Sequence, residues 1–215
     1  MATLLRIADR NGVLIRSIDI NAITDTPSGV AFDGKNYLVA DNQNDRVVVI
    51  DRNGVLIRAL NVTAIDTLPF GIGFDGKNIL LCGSQNDNIY ILDRNGTLIR
   101  AISTTGITTV PMGIAFDGKN YLVIDNQNDR IVIIDRSGVL IRAINIAAID
   151  TQPSGIGFDG KNILLCGSQN DKIYILDRNG TLIRTLNITM AGADVGGVAF
   201  DGKEIIYTDY VLGEG

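Results

Sequence analysis

The chain has 215 residues, of which 46% are hydrophobic and 20% charged, and it carries a formal net charge of −5 with no histidine and no tryptophan. So much apolar content excludes a disordered chain, and the acidic balance excludes the basic field that nucleic-acid binding depends on. No apolar run is long enough to span a membrane and no basic leader precedes an apolar stretch, so no membrane partner and a cytoplasmic location are expected.

The first expected elements are short strands at 4–8 and 13–18, joined through Asp9-Arg10-Asn11-Gly12. A longer link over 20–28 leads into four more strands, at 29–32, 37–40, 46–50 and 55–60, which are rich in Val, Ile and Tyr and bounded by Gly, Asn and Asp. Asp33-Gly34-Lys35-Asn36 and Arg52-Asn53-Gly54 read as tight turns, because Gly and Asn accept the positive φ such turns require. From there the chain repeats itself. Phe-Asp-Gly-Lys begins at Phe32, Phe74, Phe116, Phe158 and Phe200, and Asp-Arg-(Asn/Ser)-Gly begins at Asp9, Asp51, Asp93, Asp135 and Asp177, both every 42 residues. The last strands, at 197–200 and 205–208, match the first and second strands of a unit; the N-terminal pair matches the third and fourth.

Four strands per repeat of this length specify a propeller. The inner strands are apolar on both faces (Gly29-Val30-Ala31-Phe32), which fits small sheets covered on either side by neighbouring blades. The expected fold is all-β: a five-bladed β-propeller of four-stranded antiparallel blades, one domain over residues 1–215. One blade is shared by both termini, two strands from each. A ring left open would expose two unpaired strand edges, so a closed monomer is expected.

The two cysteines, Cys82 and Cys166, occupy the same place in the second and fourth units, within apolar runs, and read as buried hydrophobes without a disulfide. An arginine recurs on the outermost strand at Arg16, Arg58, Arg100, Arg142 and Arg184, and reads as a solvated guard against edge-to-edge pairing. The first and third units are near-identical, and so are the second and fourth. That pattern reads as amplification of a two-blade piece, either recent or deliberate.

In a meander, alternate connections emerge on one side, so the tight turns share one face and the long links and second loops share the other. Binding residues concentrate on such loops. At the inner end of each long link stand Ser28, Phe70, Met112, Ser154 and Gly196, which differ from one another against a repeated background and are the candidate ligand-contacting rim. Asp41, Asp125 and Asp209, at the end of the second strand in the odd units, form a second candidate set. Three carboxylates facing a channel would serve a cation or acid/base chemistry, whereas the alternative has each aspartate capping backbone amides in its own turn. Asp41-Asn42-Gln43-Asn44-Asp45 lacks the glycine and bidentate glutamate of a calcium loop, so no metal is expected. Its Gln-Asn-Asp triplet, common to four units, reads as satisfying exposed backbone between neighbouring loops.

Pro27-Ser28-Gly29-Val30-Ala31-Phe32-Asp33, followed by Ala40-Asp41-Asn42-Gln43-Asn44-Asp45-Arg46-Val47, resembles the NHL repeat. The third unit, from Pro111 to Asp117 and Asp125 to Ile131, resembles it equally well. The second and fourth units depart from the pattern at Gly83, Gly167, Asn88 and Lys172, and the fifth has Val195 in place of proline. The resemblance implies a propeller usually of six blades, so a ring of five implies a narrower axial channel. Lyases and lactonases of similar build are tied by the resemblance to metal and histidine, and this chain has no histidine. The expectation is therefore a non-enzymatic scaffold or binding propeller without a cofactor, taking a peptide or small molecule on the variable face. A multivalent carbohydrate-binding propeller with glycan sites between blades is the alternative. A hydrolase or lyase working through the three aspartates lacks an activated serine, cysteine or histidine beside them.

Overall fold

The computed structural model describes residues 3–211 apart from positions 25, 67, 84–86, 109, 168–171 and 189–192. Five four-stranded antiparallel sheets are arranged as blades. Blade 1 comprises Pro27–Phe32, Tyr37–Asp41, Arg46–Ile50 and Leu56–Asn61, from inner to outer strand. Blades 2, 3 and 4 repeat it from Pro69, Pro111 and Pro153. Blade 5 takes its inner strands, Ala193–Phe200 and Ile205–Val211, from the C-terminus, and its outer strands, Thr3–Ala8 and Leu14–Asp19, from the N-terminus. The all-β fold, the five blades and the shared blade are those the 42-residue period specifies.

Hydrophobic clusters lie between blades and not within them. Along the third strand of blade 1, Val47 and Val49 pack towards blade 2 with Ile72 and Leu81, while Val48 and Ile50 pack towards blade 5 with Leu5 and Ile206. Successive side chains point to opposite faces of a strand, so a strand apolar at every position covers two neighbours at once. Burying each Val, Leu or Ile contributes about 1.5–3 kcal/mol.

The two phrases that set the period are the two halves of a latch between blades. In Phe-Asp-Gly-Lys of blade 1, Asp33 Oδ1 accepts the Lys35 and Asn36 backbone N–H groups at 2.8 and 2.7 Å, which shapes the turn. Its Oδ2 accepts Arg94 Nη1 of blade 2 at 3.1 Å, and that guanidinium lies 4.6 Å above the Phe74 ring of its own blade. The same arrangement recurs at Arg52, Arg136, Arg178 and Arg10, pairing with Asp201, Asp75, Asp117 and Asp159 and stacking on Phe32, Phe116, Phe158 and Phe200. The arginines are about half exposed, so each ion pair contributes of order 0.2–1 kcal/mol and each cation–π contact about 0.5–1 kcal/mol.

The outer-strand arginines correct the sequence reading. Four of the five are exposed, Arg16 being half-buried, and those four act as ties and not only as edge guards. Arg58, Arg100, Arg142 and Arg184 each donate to a turn carbonyl of the next blade, at Arg94, Arg136, Arg178 and Arg10. The reason is geometric: the outer strand of one blade runs beside the third-to-fourth-strand turn of the next.

At the seam, the N-terminal strand at Thr3–Ala8 pairs along its whole length with Ile205–Val211, Leu4 opposite Asp209 and Ile7 opposite Ile206. Arg6 occupies a position that is Val48 in blade 1 and Val132 in blade 3, and its Nε donates to Asp209 in a wholly buried ion pair that joins the two ends of the chain. Arg6 Nη1 also donates to Ser17 Oγ at 3.1 Å.

Removing one partner of a buried pair costs about 3–5 kcal/mol, whereas replacing both with apolar groups of similar size is near neutral. Asp209→Ala is therefore expected to lower the unfolding free energy by about 3–5 kcal/mol in a urea titration, and Arg6→Met with Asp209→Leu to restore most of it. A single variant as stable as the parent would show that the pair does not hold the seam.

Candidate functional site

Five glycines, Gly29, Gly71, Gly113, Gly155 and Gly197, bring the inner strands together at the axis. A Cβ on Gly71 would lie 2.7 Å from the Gly113 Cα and 2.8 Å from the Met112 carbonyl oxygen, and one on Gly155 would lie 2.7 Å from the Gly197 Cα. All five glycines line a space of only about 10 Å³, at the threshold for a single water. The axis is thus pinched, and it opens on each side into a separate hollow. On the tight-turn side the hollow is about 70 Å³, among the five latch phenylalanines. On the side of the long links it is a blind cup of about 550 Å³, within the range of small-molecule sites.

The structure brings all five rim candidates, Ser28, Phe70, Met112, Ser154 and Gly196, into the wall of this cup. In ring order the cup has two halves. Phe70 and Met112 stand on adjacent blades 2 and 3 and form an apolar wall; Ser154, Gly196 and Ser28, on blades 4, 5 and 1, leave an open recess opposite. Both serine hydroxyls are committed as donors to backbone of the next blade, Ser28 to the Pro69 carbonyl at 2.9 Å and Ser154 to the Val195 carbonyl at 3.0 Å. Thr26, Asn42, Asn126, Thr151 and Gln152 complete the polar part of the wall. The sequence reading missed these five; that Asn42 and Asn126 follow the second strand directly was the signal that would have found them. No described lining residue carries a charge.

The second candidate set is corrected. Asp41, Asp125 and Asp209 are fully buried and do not line the cup. Asp41 lies in register opposite Arg46, whose Nε donates to it at 2.7 Å, and it accepts both hydrogen bonds of the Asn44 amide at 3.1 Å. Asp125 is held likewise by Arg130 and Asn128, and Asp209 by Arg6. Arg46 and Arg130 then donate from Nη2 to the carbonyls of Ile23 and Ile107 in the preceding links. Cross-strand ion pairing commits these carboxylates to arginines of their own blade, so neither a cation site nor a backbone cap of the turn describes them. Among the described residues no cluster of three metal-ligating side chains occurs. The Gln-Asn-Asp triplets at 85–87 and 169–171 fall partly or wholly outside the described residues.

The even blades solve the same problem in mirror fashion. Gly83 and Gly167 replace the strand-end aspartate, and the carboxylates of Asp66 and Asp150, from the links, fill the space their Cβ atoms would need. The odd blades have Thr24 and Thr108 at that link position. Asp66 Oδ1 accepts the Leu68 N–H at 2.8 Å and Asp150 Oδ1 accepts the Gln152 N–H at 2.7 Å, which fixes the links that carry Phe70 and Gln152 to the rim. The exchange of Thr24/Asp41 for Asp66/Gly83 was visible in sequence as a paired change. Asp66 Oδ2 is buried with no hydrogen-bond partner among the described residues, and burial raises the carboxyl above its ordinary pKa. Cys82 and Cys166 are free and fully buried, as expected; burial pushes the Cys166 thiol up to about 12 and the Cys82 thiol higher still, far from thiolate chemistry.

No protein-family model matches the chain, and neither does any curated protein sequence. Solved structures do match it. Glutaminyl cyclase from Myxococcus xanthus is similar with a TM-score of 0.70 at 8% identity, over 95% of this chain and 94% of that one. A catalytically inactive virginiamycin B lyase from Staphylococcus aureus, with quinupristin, is similar with a TM-score of 0.56 at 17% identity, over 93% of this chain and 71% of that one. A chain of a nidogen/laminin complex is similar with a TM-score of 0.60 at 17% identity, over 86% of this chain and 93% of that one. At these identities the likeness establishes the propeller fold alone. It also corrects the expectation that a chain of this build is not an enzyme, because the cyclase and the lyase are enzymes on the same architecture.

Asp66 gives the site's framework a pH signature. A carboxyl whose pKa is raised by folding binds more protons folded than unfolded, so stability is greatest in acid and declines as pH rises through the raised value. Asp66→Asn removes that decline: the variant is expected to be more stable than the parent at neutral pH in urea titrations, with the gap closing as pH falls below the ordinary aspartate value of 3.8. A parent as stable as Asp66→Asn at neutral pH would contradict the assignment.

Proposed function

We propose that the chain binds a small uncharged organic molecule in the blind cup, as a propeller built of NHL-type units. One observation carries this reading. Ser28, Phe70, Met112, Ser154 and Gly196, one equivalent position in each blade whose residue varies round the ring, all line one cavity of about 550 Å³. A neutral ligand follows from the wall, since a carboxylate or ammonium ion would lose its hydration there without a charged partner among the described lining residues. Its apolar part would rest on Phe70 and Met112, an aromatic ring beside a thioether that adapts to an irregular surface, and its remainder would fill the recess over Gly196. Because the glycine ring closes the floor, the ligand enters and leaves by one mouth, which favours a small molecule or a chain end over the middle of a peptide.

The chain itself supplies the variants that test this. Blade 1 resembles blade 3 and blade 4 resembles blade 2, so Ser28→Met and Ser154→Phe transplant residues already accommodated at the equivalent places. The double variant is expected to fold with an unchanged melting temperature and to lose binding of uncharged aromatic fragments detected by ligand-observed NMR on the parent. Retained binding in the filled cup would place the site elsewhere, and no binding by the parent would remove the proposal.

A further inference from the structure

Asn42 and Asn126 open identical Asp-Asn-Gln-Asn-Asp loops in blades 1 and 3. Both are half-buried in the cup wall, but their side chains do different things. Asn126 Nδ2 donates to the Pro153 carbonyl of the next blade at 2.9 Å. The matching acceptor ahead of blade 1 is the Pro69 carbonyl, and there the donor is the Ser28 hydroxyl, at 2.9 Å, and not Asn42. Blade 3 has Met112 where blade 1 has Ser28, so no rim hydroxyl shares the carbonyl that Asn126 uses. The Asn42 backbone is tied to the Thr26 carbonyl at 3.3 Å, while its carboxamide has no hydrogen-bonding partner among the described residues.

We infer that Asn42 is the polar recognition group of the cup, kept available by Ser28, and that the ligand carries an amide-like edge beside an apolar ring. This rests on the reading of the cup as a binding site. A carboxamide presents a carbonyl acceptor next to an N–H donor, a pair that an amide, lactam or imide edge meets with two hydrogen bonds at once. A ligand with a single ether or ketone oxygen would satisfy only half of it, and a hydrocarbon none. Phe70, on the neighbouring blade of the same cavity, provides the surface for the ring. Ser28 is in this account a positioning residue: it touches the Pro69 carbonyl and thereby decides where the Asn42 amide spends its hydrogen bonds.

The test uses benzamide, its charged analogue benzoate and its hydrocarbon analogue toluene, each titrated into the full 15N-labelled chain. The parent is expected to bind benzamide more tightly than toluene and to give no saturable shifts with benzoate. Asn42→Leu, of similar shape without hydrogen bonding, should weaken benzamide about 5- to 10-fold and leave toluene unchanged, as expected for loss of one or two neutral hydrogen bonds. Ser28→Ala should produce the same loss without altering Asn42, accompanied by a shift of the Asn42 side-chain amide resonance as it takes over the Pro69 carbonyl. If both variants bind benzamide as the parent does, the assignment of Asn42 is wrong while the cup remains a site. If neither benzamide nor toluene binds the parent, the cup reading fails and this inference with it.

Discussion

Everything in this molecule is arranged around the backbone contact of five glycines at the axis. With Gly71 so close that a Cβ would meet the Gly113 Cα and the Met112 carbonyl, the inner strands stand at the least separation that polypeptides allow. That approach determines two things together. It fits the tight radius of a five-bladed ring, in which a Cβ on Gly29, Gly71, Gly155 or Gly197 would press on the next blade's backbone at under 3.0 Å, and it seals the channel, so that the variable face carries a cup and not a pore. Even blades extend the constraint two residues along the strand: Gly73 and Gly157 sit against the Ile114 and Val198 carbonyls of the following odd blades, where the odd blades themselves carry Ala31, Ala115 and Ala199.

The outer parts of the blades hold this closure by repetition of weak contacts. Each arginine–aspartate latch is partly exposed and modest in energy, but the same carboxylate shapes its turn with one oxygen and binds the next blade with the other, so turn and interface form as one unit. Only the seam departs from repetition. There a buried arginine replaces a valine and finds an aspartate 203 residues away in sequence, a pairing that would be costly if either partner were unmatched. The seam thereby gains a definite register at the one junction where no covalent link runs from strand to strand.

Much of this was legible in the sequence because it is either periodic or local. The repeat of Phe-Asp-Gly-Lys gave blade number and length, the incomplete units at the two ends gave the seam, and the turn residues gave the two faces. The rim was legible for a different reason: Phe70, Met112 and Gly196 stand out only because the background repeats. What escaped depends on contacts between distant segments. Asp41 and Asp125 read as open carboxylates until their cross-strand register with Arg46 and Arg130 is known, and Arg6 sits out of phase with both. The clearest case is Asn42 and Asn126, whose loops are identical in sequence yet bonded differently, because the deciding residue lies on another strand. Likewise the missing histidine excluded one kind of chemistry and not catalysis as such, which related architectures carry out.

The central claim is that backbone contact between neighbouring inner strands closes the ring, and equilibrium unfolding of Gly197→Ala beside Gly113→Ala tests it most directly. A Cβ on Gly197 would press on backbone of the next blade, the Gly29 Cα at 2.7 Å and the Val30 nitrogen at 2.8 Å, whereas one on Gly113 would meet its nearest atoms, led by the end of the Ile124 side chain, at 3.0 Å or more. The account predicts that Gly197→Ala loses about 1–3 kcal/mol or more, as overpacking against an immovable neighbour does, and that Gly113→Ala loses clearly less. Equal stability of Gly197→Ala and the parent would contradict it, since the inner strands would then have room that this structure does not allow.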